Sequence, residues 1–269
     1  MQHRHLDRQQ YFDEQRLGTE KFILPYIGSQ QTTNNKQQTI YLLKRGTRVL
    51  EIGCGEGGNL LPFLELGCEC CGVELSDTSF KRSQIFYDKL PYEKHLHLYN
   101  DDIYNLTCQD LGGTFDIVFL RDVLEHIPKQ EIFMQYVKQF LASDGVLFIA
   151  FPPWRMPLGG HQQVCRNKFL CKLPYFHILP KNIYEKILKI GGEDPKGLLQ
   201  IKETGISINR FKKIIRKENY EVIKKTHWFI NPNYQVKFGL TPRKLPKVFQ
   251  ITWLQDFYTT AVYYLLKIK

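Results

Sequence analysis

The stretch Arg-Val-Leu-Glu-Ile-Gly-Cys-Gly-Glu-Gly-Gly-Asn-Leu at residues 48–60 joins an apolar, strand-like run to a glycine-rich turn. Gly53 and Gly55 let the backbone turn sharply between a strand and a helix, and they let a ligand approach the main chain without meeting a Cβ atom. As G-x-G-x-x-G, residues 53–58 also match a dinucleotide fingerprint, which alone is a weak signal. The carboxylate of Glu51 would repel the phosphates of a dinucleotide but attract an amino or sulfonium group. The stretch therefore favours a site for a cationic nucleoside.

Length and composition indicate a globular protein. The chain has 269 residues, of which 43% are hydrophobic, and this is enough to bury the core of one large domain or of a domain with a lid. It contains no apolar run of about 20 residues and no secretory apolar segment behind its first residues, so we expect a soluble, cytoplasmic protein. Among the seven cysteines, Cys68, Cys70 and Cys71 crowd one predicted strand, where core thiols are favoured over disulfides or zinc ligands.

The net charge of +10 is unevenly distributed along the chain. Residues 1–150 contain 15 Lys and Arg against 20 Asp and Glu, whereas residues 151–269 contain 22 against 7. The basic half suits an anionic acceptor, nucleic acid or an acidic membrane surface, and a solvated lysine-rich surface is the alternative. A basic amphipathic helix predicted at 207–218 has the same two interpretations, peripheral contact with phosphates or anionic lipid, or a solvated face.

From about residue 47, apolar strand patterns alternate with amphipathic helix patterns, which predicts a doubly wound α/β fold. The predicted strands are 47–52, 69–74, 95–100, 115–120, 145–151, 220–230 and 256–268, and the predicted helices are 57–66, 77–89, 129–141 and 207–218. We expect a Rossmann-like, seven-stranded sheet that is mostly parallel and has an antiparallel last strand. Ligands of such sheets bind beyond the carboxyl ends of the strands.

Breaks in the pattern divide the chain into four segments. Pro25 and Gly28 interrupt the N-terminal helices before a polar stretch, and after Phe151 the composition becomes rich in proline, glycine, aromatic and basic residues. The predicted segments are an N-terminal helical lid at 1–44, a cofactor-binding core at 45–151, an inserted acceptor cap at 152–205 and a C-terminal completion of the sheet at 206–269. Within the cap, aromatic residues predict either an acceptor platform or a small core: Trp154, Tyr175, Phe176 and His177.

Acidic residues follow the second and third predicted strands. Glu74 lies 21 positions after Gly53, where an acid can accept hydrogen bonds from both hydroxyls of a ribose. Asp101 or Asp102 can accept from an adenine amino group while Ile103 packs on the ring. Because successive parallel strands end at one edge of the sheet, these residues together predict a nucleoside-shaped site.

The fourth predicted strand leads into Val-Leu-Glu-His-Ile at 123–127. Together with Val-Leu-Glu-Ile-Gly-Cys-Gly-Glu-Gly at 49–57, the acid Glu74 and the pair Asp101-Asp102, this sequence resembles the class I S-adenosylmethionine-dependent methyltransferases. The resemblance is strong over about residues 45–151 and thinner outside them. It implies a methyltransferase with S-adenosylmethionine as the methyl donor.

The resemblance also implies roles for individual residues. It places the methionine moiety beside Glu51, Gly53 and Gly55, the ribose at Glu74, the adenine at Asp101 or Asp102 with Ile103, and the sulfonium near Leu120 and Arg121, with Cys54 and Leu75 in the same turns. Arg121 departs from the small or apolar residue of many relatives. A cation there is unfavourable beside a sulfonium unless Asp122, Glu51 or an acidic acceptor neutralises it; alternatively, Arg121 points toward the acceptor.

Two histidines are candidates for the general base. A sulfonium donor leaves as a neutral thioether, so methyl transfer needs an acceptor held in line and, for a hydroxyl, a base that takes the proton. His161 is the first candidate because Gly159 and Gly160 place it flexibly at the start of the predicted cap, and His126 is the second.

The same histidines predict an alternative metal site. Asp122, Glu125 and His126 have i, i+3, i+4 spacing and would share a helical face, and His161 would complete a set of two carboxylates and two imidazoles. This resembles the E-x-x-E-H plus distal His of small-RNA terminal 2′-O-methyltransferases and the E-x-x-E-H of ubiquinone-pathway O-methyltransferases, with Asp122 in place of the first Glu. Otherwise, Glu125 stabilises the start of the next helix without a metal.

The leading hypothesis is O-methylation of a small-molecule or glycan hydroxyl, with an anionic acceptor suiting the basic cap. RNA methylation on ribose or base keeps the same donor, although the sequence contains no separate RNA-binding module and no N/D-P-P-Y motif. A non-catalytic binding protein on the same fold is disfavoured by the intact cofactor residues. An NAD-dependent oxidoreductase is disfavoured by Glu51.

Overall fold

The computed structural model describes residues 7–28, 31–33, 36–38 and 43–269. The predicted lid therefore lies partly outside the described residues, as do residues 29–30, 34–35 and 39 of its polar stretch at 29–39. Two short strands, Gln31–Thr33 (β1) and Lys36–Gln38 (β2), pair antiparallel as a separate ladder.

Eight strands form the main sheet. They are Arg48–Ile52 (β3), Glu69–Val73 (β4), Leu96–Tyr99 (β5), Phe115–Arg121 (β6), Leu141–Phe151 (β7), Tyr220–Ile230 (β8), Arg243–Lys244 (β9) and Ala261–Ile268 (β10). Their order across the sheet is β5-β4-β3-β6-β7-β10-β8-β9. The first five are parallel, and β10 runs antiparallel to both β7 and β8. The predicted mixed sheet with an antiparallel C-terminal strand is confirmed.

Helices flank the sheet and connect its strands. They are Arg8–Gly18 (α1), Leu24–Gly28 (α2), Leu61–Glu65 (α3), Asp77–Tyr87 (α4), Gln130–Tyr136 (α5), Lys181–Ile190 (α6), Lys196–Thr204 (α7), Ile208–Lys217 (α8), Asn233–Phe238 (α9) and Gln255–Tyr258 (α10). A π-helical turn, Thr19–Ile23, joins α1 to α2. None of the helices in the described ranges is long and apolar enough to cross a bilayer.

The sheet separates two hydrophobic layers. On one face, α5 and α8 contribute to a cluster in which Phe211 packs edge-on against Phe151 and Tyr264, each at 5.0 Å between ring centroids. On the other face, α1, α2 and α3 cover the sheet, and Tyr26 contacts Phe148 with centroids 5.7 Å apart. Central strands buried on both faces explain the continuous apolar runs in the sequence.

The structure corrects the predicted number of strands and three predicted boundaries. The sheet has eight strands rather than seven, because β9 adds a two-residue pairing to β8. The helix predicted at 57–66 is only Leu61–Glu65, since Gly57 has φ +84°, outside the helical region. β7 begins at 141 rather than 145. The last strand begins at 261 rather than 256, because Asp256 is buried in α10 and accepts a hydrogen bond from Ile208 N at 3.0 Å.

Residues 152–205 form three short 3₁₀ turns followed by α6 and α7, packed around their own apolar cluster. His177 is fully buried and hydrogen-bonds to the carbonyl oxygen of Trp154 at 2.7 Å. Phe176 is also buried and packs on Tyr184 at 5.0 Å between centroids. For these two side chains the core interpretation is therefore correct, and the acceptor platform is wrong. That the segment caps an acceptor remains a prediction.

Candidate functional site

The carboxyl ends of β3 and β6 border a polar pocket of about 130 Å³. Helices α1 and α9 close its other sides. Its lining residues are Tyr11, Glu14, Gln15, Gly53, Gly55, Asn59, Arg121, Asp122, Val123, Asn233 and Lys237. This is the edge of the sheet at which the sequence predicts the cofactor.

The glycine turn after β3 has the backbone that the sequence predicts. Gly53 and Gly55 have φ +72° and +58°, a region that side-chain-bearing residues rarely adopt. A Cβ atom on Gly53 would lie 2.6 Å from a methyl group of Val123. Cys54 is buried in the core behind the turn, so its side chain does not face the pocket.

Glu74 supports the same turn from the end of β4. Its carboxylate accepts hydrogen bonds from the backbone N–H of Gly55 at 2.7 Å and from that of Ser76 at 2.8 Å. Glu74 therefore links the turns that follow β3 and β4. Its contact with a ribose remains a prediction. The neighbouring Leu75 is 70% exposed and lies outside the pocket lining.

Glu51 lies one layer behind the pocket rather than in its wall. It is fully buried, and its Oε1 accepts a hydrogen bond from Asn59 Nδ2 at 2.7 Å. Burial raises the pKa of Glu51 well above its usual value, although Asn59 and Arg121 oppose the shift. Asn59 lines the pocket, so it lies between this carboxylate and any ligand bound there.

Arg121 lines the pocket, and its guanidinium is bonded to neighbouring protein groups. Its side chain is 7% exposed, and Nη1 donates to Asn59 Oδ1 at 2.7 Å and, at 3.5 Å, to the carbonyl of Gln15. Its Nε lies 4.0 Å from Asp122 Oδ2. The proximity of Asp122 fits the interpretation that a carboxylate neutralises Arg121, and the alternative, that Arg121 faces the acceptor, remains a prediction. Leu120 precedes Arg121 on the strand and faces the opposite side of the sheet, because alternate side chains of a strand point in opposite directions. It is fully buried there, so it offers no side-chain contact to a ligand.

Around the pocket, three buried oxygen atoms have no hydrogen-bond partner within the described part of the chain. They are Gln15 Oε1, Glu51 Oε2 and Asn233 Oδ1. Because a buried acceptor without a partner is costly, the two oxygens that belong to lining residues, on Gln15 and Asn233, fit a ligand group with several donors, such as an ammonium. A cation beside Glu51 would also favour its ionised form. These oxygens therefore fit the amino-acid end of a methionine-derived cofactor.

The predicted adenine residues are engaged with their own turn. Asp101 Oδ1 accepts from Asp102 N and from Asn105 Nδ2, both at 2.7 Å, and Asp102 Oδ1 accepts from Tyr104 N at 3.0 Å. Ile103 is 7% exposed and belongs to the core. None of the three predicted adenine residues is part of the pocket lining, so their contact with an adenine remains a prediction.

His126 and His161 meet beside this pocket. Their ring centroids are 4.7 Å apart, and His126 follows closely after Asp122 and Val123 of the pocket wall. His161 has φ +55°, directly after Gly160 with φ +61°, so a tight left-handed turn aims it at its partner. Burial lowers the pKa of His161 to about 4 and also lowers the pKa of His126. Burial therefore favours the neutral form of both imidazoles, in which one ring nitrogen is free of a proton.

Glu125 completes a cluster with the two histidines. Their ligand atoms all lie within 4.8 Å of one another. Glu125 is buried, and neither carboxylate oxygen has a hydrogen-bond partner among the described residues, although Oε1 lies 4.0 Å from His126 Nε2. Burial together with nearby Asp122 raises the pKa of Glu125 well above the usual value. Asp122 itself is exposed, has φ +56° and does not join the cluster. Three of the four predicted ligands thus come together, as a carboxylate and two imidazoles.

Sequence reasoning missed the contribution of α1 and α9. A Cβ on Gly58 would lie 2.5 Å from the carbonyl oxygen of Phe12, so α1 packs directly on the glycine-rich loop. The guanidinium of Arg8 pairs with buried Glu56 at 2.6 Å, fixing the helix there. Such long-range packing leaves no local pattern in the sequence. Asn59 lies within the opening stretch, and its position directly after the glycines was the available signal.

Comparison with known proteins identifies a matching family and a similar protein. A family model described as a methyltransferase domain matches residues 29–172, more than half of the chain. A ubiquinone biosynthesis O-methyltransferase of Bartonella quintana is 26% identical over 165 residues, which is 54% of this chain and 62% of that protein. The match thus spans less than two thirds of that relative.

Two solved structures have the same fold. The structure of PKMT2 from Rickettsia typhi aligns with TM-score 0.57 and 18% identity, over 94% of this chain and 53% of that chain. A SAM-dependent methyltransferase from Thiobacillus denitrificans, in complex with S-adenosyl-L-homocysteine, aligns with TM-score 0.50 and 14% identity, over 84% and 87%. At these identities the likeness concerns the fold alone.

Proposed function

The chain belongs to the class I S-adenosylmethionine-dependent methyltransferases, and we propose that it transfers the methyl group of this donor to a hydroxyl of a small molecule or glycan. The observation that carries the proposal is the pair of neutral imidazoles, His126 and His161, beside the cofactor pocket. A hydroxyl acceptor needs a base, and neutral histidine supplies one. The names of relatives such as the Bartonella quintana O-methyltransferase support oxygen as the acceptor atom.

In the proposed reaction, the acceptor oxygen forms a bond to the methyl carbon while the carbon–sulfur bond breaks. The bonding pair stays on sulfur, which leaves as the neutral thioether of S-adenosylhomocysteine. The acceptor proton passes to His161, and His126 packs against its ring. Glu51, through Asn59, and the unpartnered oxygens of Gln15 and Asn233 hold the amino-acid end of the donor, so the methyl group points toward the histidines.

A metal-assisted variant is the second candidate, favoured by the two oxygens of Glu125, which have no hydrogen-bond partner among the described residues. Glu125, His126 and His161 would hold a divalent cation that makes the acceptor hydroxyl more acidic. The set of one carboxylate and two imidazoles suits a first-row transition metal. Removal of the metal distinguishes the two candidates.

We expect calorimetry to show S-adenosylhomocysteine binding to the wild type, and Glu51→Gln to weaken binding by about tenfold or more. The substitution removes a carboxyl group that a bound cation would ionise while keeping an oxygen for Asn59 Nδ2, and a hydrogen bond to a charged group contributes about 1.5–3 kcal/mol. Glu69→Gln is the matched control, since Glu69 is at the opposite end of the sheet and pairs with His95. A wild type that binds no S-adenosylhomocysteine would rule out the proposal.

The acceptor class is tested with radiolabelled S-adenosylmethionine and a panel of phenols, sugars and an RNA oligonucleotide. Label in a small hydroxyl compound, lost when that hydroxyl is blocked, is the expected result. Label in RNA, with binding that weakens steeply as salt rises, would instead support the RNA alternative.

A further inference from the structure

Three large apolar side chains project into solvent from the connection between β9 and β10. Val248 is 67%, Ile251 49% and Trp253 65% exposed. We call these three residues the apolar tip. Exposed aliphatic and tryptophan side chains in one short segment are unusual on a surface that faces only water.

The backbone under the apolar tip is fixed to α8. Asn209 Nδ2 donates to the carbonyl of Thr252 at 2.5 Å, and Gln255 Nε2 donates to Asn209 Oδ1 at 3.0 Å. Lys212 Nζ donates to Gln255 Oε1 at 3.1 Å. Because these contacts hold the chain on both sides of Trp253, the fold itself keeps this side chain exposed.

Positive charge borders the apolar tip. Lys212 also lines a cavity of about 360 Å³ between α8 and β8, so this side chain connects the cavity wall to the segment that carries the tip. The cavity wall includes Arg216, Lys225 and Lys269, and Glu221 is the one acidic side chain among its lining residues. From 243 to 258 the sequence contains Arg243, Lys244 and Lys247 and a single acid, Asp256, which is buried.

We propose that this surface docks the protein onto an anionic lipid bilayer. Trp253 and its aliphatic neighbours would enter the interface between headgroups and acyl chains, while the lysines and Arg216 contact the headgroup phosphates. Aliphatic Val248 and Ile251 have no such use in binding RNA, and the excess of cations selects a negatively charged surface. The proposal does not depend on which acceptor the enzyme methylates.

The experiment is sedimentation of the full chain with vesicles of equal parts phosphatidylglycerol and phosphatidylcholine, compared with phosphatidylcholine alone. We expect the wild type to sediment with the anionic vesicles and to bind the neutral ones about tenfold less or weaker. The triple variant V248S/I251S/W253S and the charge variant R216Q/K225Q should each lose about tenfold or more in partitioning.

Matched controls lie at the far edge of the sheet. Ile85→Ser removes an equally exposed apolar side chain from α4, and K89Q/K94Q removes two exposed charges near β5; both should partition like the wild type. As a readout that does not depend on the triple variant folding, brominated acyl chains should quench wild-type tryptophan fluorescence, and Trp253→Ser should abolish that quenching. Equal partitioning of the tip variant, or a wild type that binds an RNA oligonucleotide but no vesicles, would overturn the proposal.

Discussion

Gly53→Val should abolish measurable binding of S-adenosylmethionine and S-adenosylhomocysteine, a loss of more than about 100-fold in affinity. Gly53 has φ +72°, which is an outlier conformation for a β-branched residue, and its Cβ would lie 2.6 Å from Val123 Cγ2. Relief of that contact must move either the turn or the start of the 123–127 segment. Both border the cofactor pocket, so the site cannot keep its shape.

Gly46→Val separates the effect on the site from backbone strain alone. Gly46 has φ +81°, a comparable conformation, but a Cβ there meets nothing within 4 Å. Calorimetry and thermal unfolding of both variants are the measurements. We expect Gly46→Val to be somewhat destabilised yet to bind S-adenosylhomocysteine normally; normal binding by Gly53→Val would show that the cofactor lies elsewhere.

Seven of the eight strands of the main sheet were predictable because each has a strong local pattern. β8 and α8 occur within a residue of their predicted bounds, since an uninterrupted strand pattern follows a helix that Ser207 caps through a hydrogen bond to Arg210 N at 3.1 Å. β9, with two residues, and α9, with six, are too short to leave a periodic signal. Their positions depend on pairing and packing with distant residues, which a local pattern does not encode.

The site was predictable where the backbone itself is specialised. The positive φ values of Gly53 and Gly55 follow from their residue type. The proximity of His126 and His161 was predicted as part of the metal-site hypothesis. The burial of Glu51 behind Asn59 was not predictable, since charge attraction to a ligand says nothing about which side chain intervenes. The contribution of α1 depends on long-range packing against the glycine loop.

His161→Ala should lower kcat by about 100-fold or more while leaving the affinity for S-adenosylhomocysteine unchanged, because general-base catalysis typically contributes about 10²–10⁴-fold. The side chain lies outside the pocket lining, so the cofactor contacts remain. His97→Ala, an exposed histidine on β5, is the matched control and should keep full turnover. Unchanged turnover in His161→Ala would move the base to His126 or to another group.

Chelation then separates the two mechanisms that share His161. If His161 acts as a base alone, enzyme treated with EDTA keeps its turnover, and Glu125→Gln has a modest effect because the carboxyl group touches neither donor nor acceptor. If a cation is bound, EDTA treatment and Glu125→Gln should each reduce turnover about as far as His161→Ala does. Added metal should then restore the activity of the EDTA-treated wild type but not that of either variant. Glu125 is buried, and neither of its oxygens has a hydrogen-bond partner within the described residues. Without a metal, substitution by the similarly sized Gln removes the cost of burying this acid. With a metal, the same substitution removes a ligand. The two mechanisms also predict different effects on stability. If the enzyme binds no metal, Glu125→Gln should raise its unfolding temperature. If it binds a metal, Glu125→Gln should abolish the stabilisation that added metal gives to the wild type.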